Sequence, residues 1–249
     1  MITSRKFLAS LVFLGFVGIE IPYLASTQVQ AQSSAQSAVG NAVAFSCNDT
    51  EATIKNKRAK GITFGTKSIY IGYRQVTSKN KNPILISFQN SVRQWCREDY
   101  EVTGDDGTGY GLIWDGANNL YGVFSATGTQ GTPSQDFRRF ATFGWLPTYG
   151  SGGGPKVSII AKIDPANGNV SHATFVTALL STGKSNSLTV ENLKLTGGAL
   201  TVESKSWSSP RRADKSRMTC SGSSPFRYTI TFTSLLNFVT SVSADSRCR

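Results

Sequence analysis

From Lys60 to the C-terminus of this 249-residue chain, apolar side chains recur at every second position. Ile69, Ile71 and Tyr73 do so, as do Ile84, Ile86 and Phe88, then Val157, Ile159, Ala161 and Ile163, and finally Tyr228, Ile230 and Phe232. Alternate residues of a strand point to one face of its sheet, so each run reads as a half-buried strand. The run at 228–233 is the cleanest, because Thr229, Thr231 and Thr233 fill its second face. Clusters of Gly, Asn and Ser interrupt the runs at short intervals, and no long helical pattern follows the first 31 residues. The fold class expected is therefore all-β and antiparallel.

Self-similarity refines that expectation. The stretch LIWDGANNLYGVFSATG, residues 112–128, resembles LKLTGGALTVESKSWSS, residues 193–209, with one residue deleted at the turn. A looser copy is ITFGTKSIYIGYRQVTS, residues 62–78, where Thr66-Lys67 takes the turn. Each hairpin is followed by another strand pair, at residues 84–98, 157–176 and 228–244. A single repeat domain over residues 60–249 is expected, in three four-stranded antiparallel units at about 60–103, 110–180 and 188–249. These would form a partial propeller-like or other closed β architecture. Three blades cannot meet around an axis without splaying, since closed propellers use ~4–8. Either residues 38–60 or a second copy of the chain would then cover the open edges, so a homodimer is a further expectation.

Two pieces of the middle unit resemble the SBBP-type beta-propeller repeats of exported bacterial proteins. Asp115, Asn119, Leu120 and Tyr121 match the opening of that repeat, and Ala161, Lys162, Ile163, Asp164, Pro165 and Gly168 match its strand and turn. Asn118 stands where the repeat has glycine, and the match covers residues 111–180. The resemblance implies a scaffold and export, not an activity. The same residues are also ordinary turn formers: Asp-Gly and Asn-Asn tolerate left-handed backbone, and Asp-Pro ends a strand.

Residues 1–31 have the layout of a secretory signal peptide. Arg5 and Lys6 precede an apolar core from Phe7 to Ile19, and Val29-Gln30-Ala31 offers a cleavage site before Gln32. The core is shorter than the ~20 residues that cross a bilayer, and no later segment is apolar enough. A secreted or periplasmic protein without a membrane span is expected. Losing Arg5, Lys6 and Glu20 takes the formal charge from +11 to +10. Residues 32–59 are polar, then basic, and read as a flexible segment ending in a loop or short helix. The four cysteines, Cys47, Cys96, Cys220 and Cys248, suggest two disulfides in an oxidising compartment, with near neighbours favoured by loop closure.

Catalytic chemistry is faint. The one histidine, His172, lies on a strand as a bystander, and no Gly-x-Ser-x-Gly elbow surrounds any serine. Cysteine spacings of 49, 124 and 28 contain no zinc pattern. The loop GDDGTGYG, residues 104–111, lacks the alternating acidic ligands of a calcium loop, so no cofactor is expected. Glu98, Asp99, Glu101, Asp105 and Asp106 could furnish the two acids of a carbohydrate-active hydrolase, which is the alternative reading. The favoured one is a non-catalytic binding or structural module. Its candidate residues are Arg138 and Arg139, the loop group Arg211, Arg212, Lys215 and Arg217, and Trp145 and Tyr149 on a glycine-rich rim. Trp145 is the aromatic expected to be exposed. The partner they suit is an anionic polysaccharide or envelope component; export makes nucleic acid the less expected polyanion.

Overall fold

The computed structural model describes residues 34–104, 106–127, 131–150 and 156–249. The signal-peptide reading and its cleavage point lie outside the described residues. The chain enters through strand β1 (Gln36–Val39) and helix α1 (Glu51–Asn56). A first meander follows: β2 (Lys60–Phe64), β3 (Lys67–Gln75), β4 (Lys81–Gln89) and β5 (Val92–Arg97). A second comprises β6 (Thr108–Trp114), β7 (Leu120–Ala126), β8 (Val157–Ile163) and β9 (Val170–Val176). A ribbon of β10 (Ala178–Leu179) and β11 (Ser185–Asn186) leads to a third: β12 (Leu188–Thr196), β13 (Ala199–Ser206), β14 (Phe226–Phe232) and β15 (Val239–Ala244). All pairings between these strands are antiparallel.

The all-β expectation holds, and the finer grouping needs correction. The middle sheet has five strands, in the order β1-β6-β7-β8-β9, and with the ribbon the sheets number five, two, four and four strands rather than three units of four. None closes into a barrel or propeller, because each hydrogen-bonding order ends in two edge strands. The segment expected to be a flexible leader supplies β1, which pairs Val39 with Gly111 and Gln36 with Trp114 and so satisfies the open edge of β6. Its sequence, Gln-Ser-Ala-Val, carries no apolar alternation, and its burial does not alternate either.

The turns follow local chemistry. Gly65, at φ 57°, places the β2–β3 turn on Gly65-Thr66 rather than on Thr66-Lys67. Asp115 Oδ1 accepts from the backbone of Ala117 (2.8 Å) and Asn119 (3.1 Å), and Asp164 Oδ1 from Ala166 (2.8 Å). These carboxylates cap their own turns, which is the scaffold role expected of them. The β8–β9 turn is also a contact between sheets: Trp95 Nε1 donates to Pro165 O (3.1 Å) and the buried Tyr100 hydroxyl to Gly168 O (2.8 Å).

The strands were expected to be half-buried, and β14 is. In β4, however, every residue from Asn82 to Phe88 is buried, because both faces are covered. One face of the first sheet packs on the main core, and the other holds Tyr70, Ile84, Ile86 and Phe88 beneath Phe45 and Ile54 of the N-terminal segment. The disulfide Cys47–Cys96, with Cα atoms 5.7 Å apart, ties that segment to β5, and Cys220–Cys248 closes the C-terminus. These are the near-neighbour pairs that loop closure favours. Both are compatible with an oxidising extracellular or periplasmic location.

Helix α1 is held by an acid. Glu51 is buried, and its carboxylate accepts from Ser68 (2.7 Å), Tyr70 (3.0 Å) and Ser91 (2.6 Å) while pairing with Lys55 at 2.9 Å. Burial works against the charge, but the bonds from Ser91, Ser68, Lys55 and Tyr70 outweigh it and hold the carboxyl down to about 2. A folded value below the unfolded one gives stability that is complete above about pH 4.5 and lost as pH falls toward 2. Glu51→Gln should cost about 1–3 kcal/mol at neutral pH. Urea titrations should also show a flatter acid limb in the variant than in the wild type.

Candidate functional site

The three large sheets converge on β6, which packs against β2, β3 and β4 on one side and β12 on the other. Where β6 begins, β7 ends and β12 begins, the sheets leave a cleft of about 430 Å³. Gly40, Asn41 and Ala42 after β1 form one wall. Tyr73 and Lys81 come from the first sheet, Thr108, Tyr110, Ser125 and Lys156 from the middle sheet and its approach, and Leu188 and Thr189 from the third.

The polar groups fall into two kinds. Tyr110 is committed to structure. Ser158 Oγ donates to Leu188 O (2.7 Å), so the Tyr110 hydroxyl donates to Ser158 Oγ (2.8 Å) while accepting from Val190 N (3.1 Å). Burial pushes its pKa up, and it serves as a neutral wall. Among the described residues, the hydroxyls of Thr108 and Ser125 bond only to each other, at 2.8 Å, leaving one proton and several lone pairs for a ligand.

Two lysines bring positive charge to this opening. Lys81 Nζ lies 3.2 Å from Asp106 Oδ1 and 5.4 Å from the centroid of the Tyr73 ring. Lys156 is exposed, and no acid lies within ion-pair distance of it among the described residues. One cation is therefore balanced and the other is not. The arrangement can take a singly charged anion together with hydroxyl groups that replace water on Thr108 and Ser125.

The residues singled out from the sequence lie elsewhere. Arg138 sits on a 3-10 turn (Phe137–Phe140) and grips the buried Asp136, with Nη2 to Oδ2 at 2.7 Å and Nε to both oxygens at 2.9–3.0 Å. Arg139 donates to Ser134 O (2.8 Å) and Asp99 O and stacks on Phe140 at 4.4 Å. Trp145, expected to be exposed, is buried at 4% exposure; its ring meets Phe232 and its Nε1 donates to Ala213 O (2.7 Å). Tyr149 is buried against Phe175, its carbonyl accepting from Ser185. Phe232 and Phe175 are themselves fully buried, so both aromatics of the expected rim belong to the main core. Arg211 is buried and donates to Thr177 Oγ1 (3.1 Å) and Lys215 O (3.2 Å). Arg212 donates to the carbonyls of Arg217 and Arg249, and Arg217 to Ser209 Oγ (2.8 Å). Lys215 is exposed at the tip of their loop.

The acids are likewise engaged. Glu98 pairs with Arg74 (3.2 Å), Asp99 with Arg97 (2.8 Å) and Asp106 with Lys81, and the buried Glu101 accepts from Thr103 N (2.7 Å). Asp105 lies outside the described residues. Asp106 touches a residue that lines the cleft, Lys81.

The chain matches no family model, no curated protein and no solved structure. Among the described residues, no helix is long and apolar enough to cross a membrane.

The engaged arginines and the free lysine make a direct contrast. Arg138→Ala strands a buried carboxylate and should lower stability by roughly 2–4 kcal/mol in urea denaturation. Lys215→Ala removes an exposed side chain and should change it by less than about 0.5 kcal/mol.

Proposed function

We propose that this protein is an exported, non-catalytic binding module that receives a short stretch of an anionic glycan or envelope polymer in the cleft between its sheets. The observation that carries the reading is the convergence of Lys81, Lys156, Tyr73 and the Thr108–Ser125 hydroxyl pair on one opening. An acidic sugar presents the matching chemistry: a carboxylate or sulfate for Lys156, hydroxyls for the Thr108–Ser125 pair, and an apolar ring face for aromatic contact. A cleft of about 430 Å³ falls in the ~300–1,000 Å³ range of small-ligand sites. The signal-peptide layout of residues 1–31, the two disulfides and the turn residues shared with SBBP-type repeats support export and a place in the envelope.

The mature chain should bind acidic oligosaccharides such as oligouronates in calorimetry, and neutral oligosaccharides of the same length weakly. Replacing Lys81 and Lys156 together by alanine should weaken binding at least tenfold, about 1.4 kcal/mol or more, and reduce its salt dependence. Equal affinity of variant and wild type would overturn the proposal. Release of reducing ends during the titration, abolished by Asp106→Asn, would replace it with the hydrolase reading.

A further inference from the structure

At the other end of the middle sheet, where β6 ends and β7 begins, three loops meet around one tryptophan. Trp145 N donates to Leu236 O (2.8 Å), and its indole Nε1 donates to Ala213 O (2.7 Å). Residues 141–146, the hairpin at 211–217 and the β14–β15 turn at 233–238 are thereby held together. The Tyr121 hydroxyl, at the start of β7, donates to Ser234 O (2.9 Å) and fixes this group at the end away from the cleft. The hairpin runs along β14 from Tyr228, whose hydroxyl donates to Arg211 O (2.9 Å), toward Trp145 and Phe232. Its tip therefore lies beside the other two loops.

These loops expose apolar side chains that the core does not use. Phe143 is 81% exposed, Phe238 66% and Leu235 42%. The backbone beneath them is firmly seated. Leu236 is fully buried, and a side chain at Gly144 would collide with the carbonyl of Ala173, so the loop carrying Phe143 lies tight against β9. The neighbouring hairpin carries four cations and one acid, Asp214, for a local charge of +3. Arg212 and Arg217 are bonded to backbone and hydroxyl oxygens, and Lys215 is exposed at the tip.

We infer that this end is a docking surface for an anionic lipid bilayer, with Phe143, Leu235 and Phe238 entering the headgroup–acyl boundary and Arg212, Lys215 and Arg217 meeting the headgroups. Apolar tips on separate turns with a basic hairpin alongside match the layered chemistry of a bilayer edge. Peripheral attachment needs such a pairing, since neither a few buried apolar groups nor a few cations hold a protein there alone. Docked this way, the molecule turns its cleft away from the lipid.

Co-sedimentation of the mature chain with vesicles of phosphatidylcholine mixed with phosphatidylglycerol, and with pure phosphatidylcholine vesicles, tests this. The protein should pellet with the anionic vesicles at low salt and be released at high salt. The Phe143→Ser/Phe238→Ser double variant should lose about tenfold or more in vesicle affinity. Lys215→Glu should lose about as much, at unchanged melting temperature. Equal pelleting of wild type and the double serine variant would overturn the inference, as would failure of the wild type to pellet. A dimer in light scattering that the serine pair converts to monomer would assign the patch to a second copy and overturn it as well.

Discussion

The arrangement depends on how closely the first and middle sheets approach each other. A side chain at Gly109 on β6 would collide with Ile71, and one at Gly72 on β3 would strike the carbonyl of Val43 and the ring of Phe45. Hydrogen at these positions lets β6 lie directly on β3 and lets residues 43–45 run beside β3, where Phe45 N donates to Tyr73 O and Tyr73 N to Val43 O. Dispersion falls off steeply with separation, so this contact is what makes one continuous core from several sheets. The cleft lies at the margin of this contact, where Tyr73, Lys81, Thr108 and Ser125 face a common space.

The N-terminal segment completes what the meanders leave open. β1 pairs with the exposed edge of β6, α1 roofs the second face of the first sheet, and Glu51 joins the helix to β3 and to the turn before β5. Without this cover, Tyr70, Ile84, Ile86 and Phe88 would form an exposed apolar face on an otherwise stable sheet. Edge pairing, helix packing and the Cys47–Cys96 bond thus act on the same problem from three directions.

Strand identity was legible because alternation and turn residues are local. Ile69, Ile71, Ile230 and Phe232 announced their strands, and Asp115 and Asp164 their turns. The role of residues 36–39 was not legible: a short edge strand of Gln, Ser, Ala and Val is held by its partner's backbone, and backbone pairing leaves no compositional mark. The same limit hid the cleft. Tyr73, Lys81, Thr108, Ser125 and Lys156 are separated by long stretches of chain, and only the register of three sheets brings them to one end. The arginines misled for a related reason. A loop arginine looks free in a sequence, but Arg138, Arg211 and Arg212 are spent on a buried acid and on carbonyls that irregular backbone leaves without strand partners.

That use of arginine also explains how a chain with few helices holds its long connections in place. In the connections between β7 and β8 and between β13 and β14, several described carbonyls, those of residues 131, 134, 215 and 217, accept from an arginine. A guanidinium offers five donors in a fixed plane and can serve several carbonyls at once. Arg139 does this for residues 134 and 99, and Arg212 for residues 217 and 249. The positive charge of the protein is therefore partly a consequence of its architecture. Lys156 at the cleft and Lys215 at the opposite end stand apart from that duty: among the described residues no carboxylate or carbonyl holds either side chain, so both are open to an outside anion.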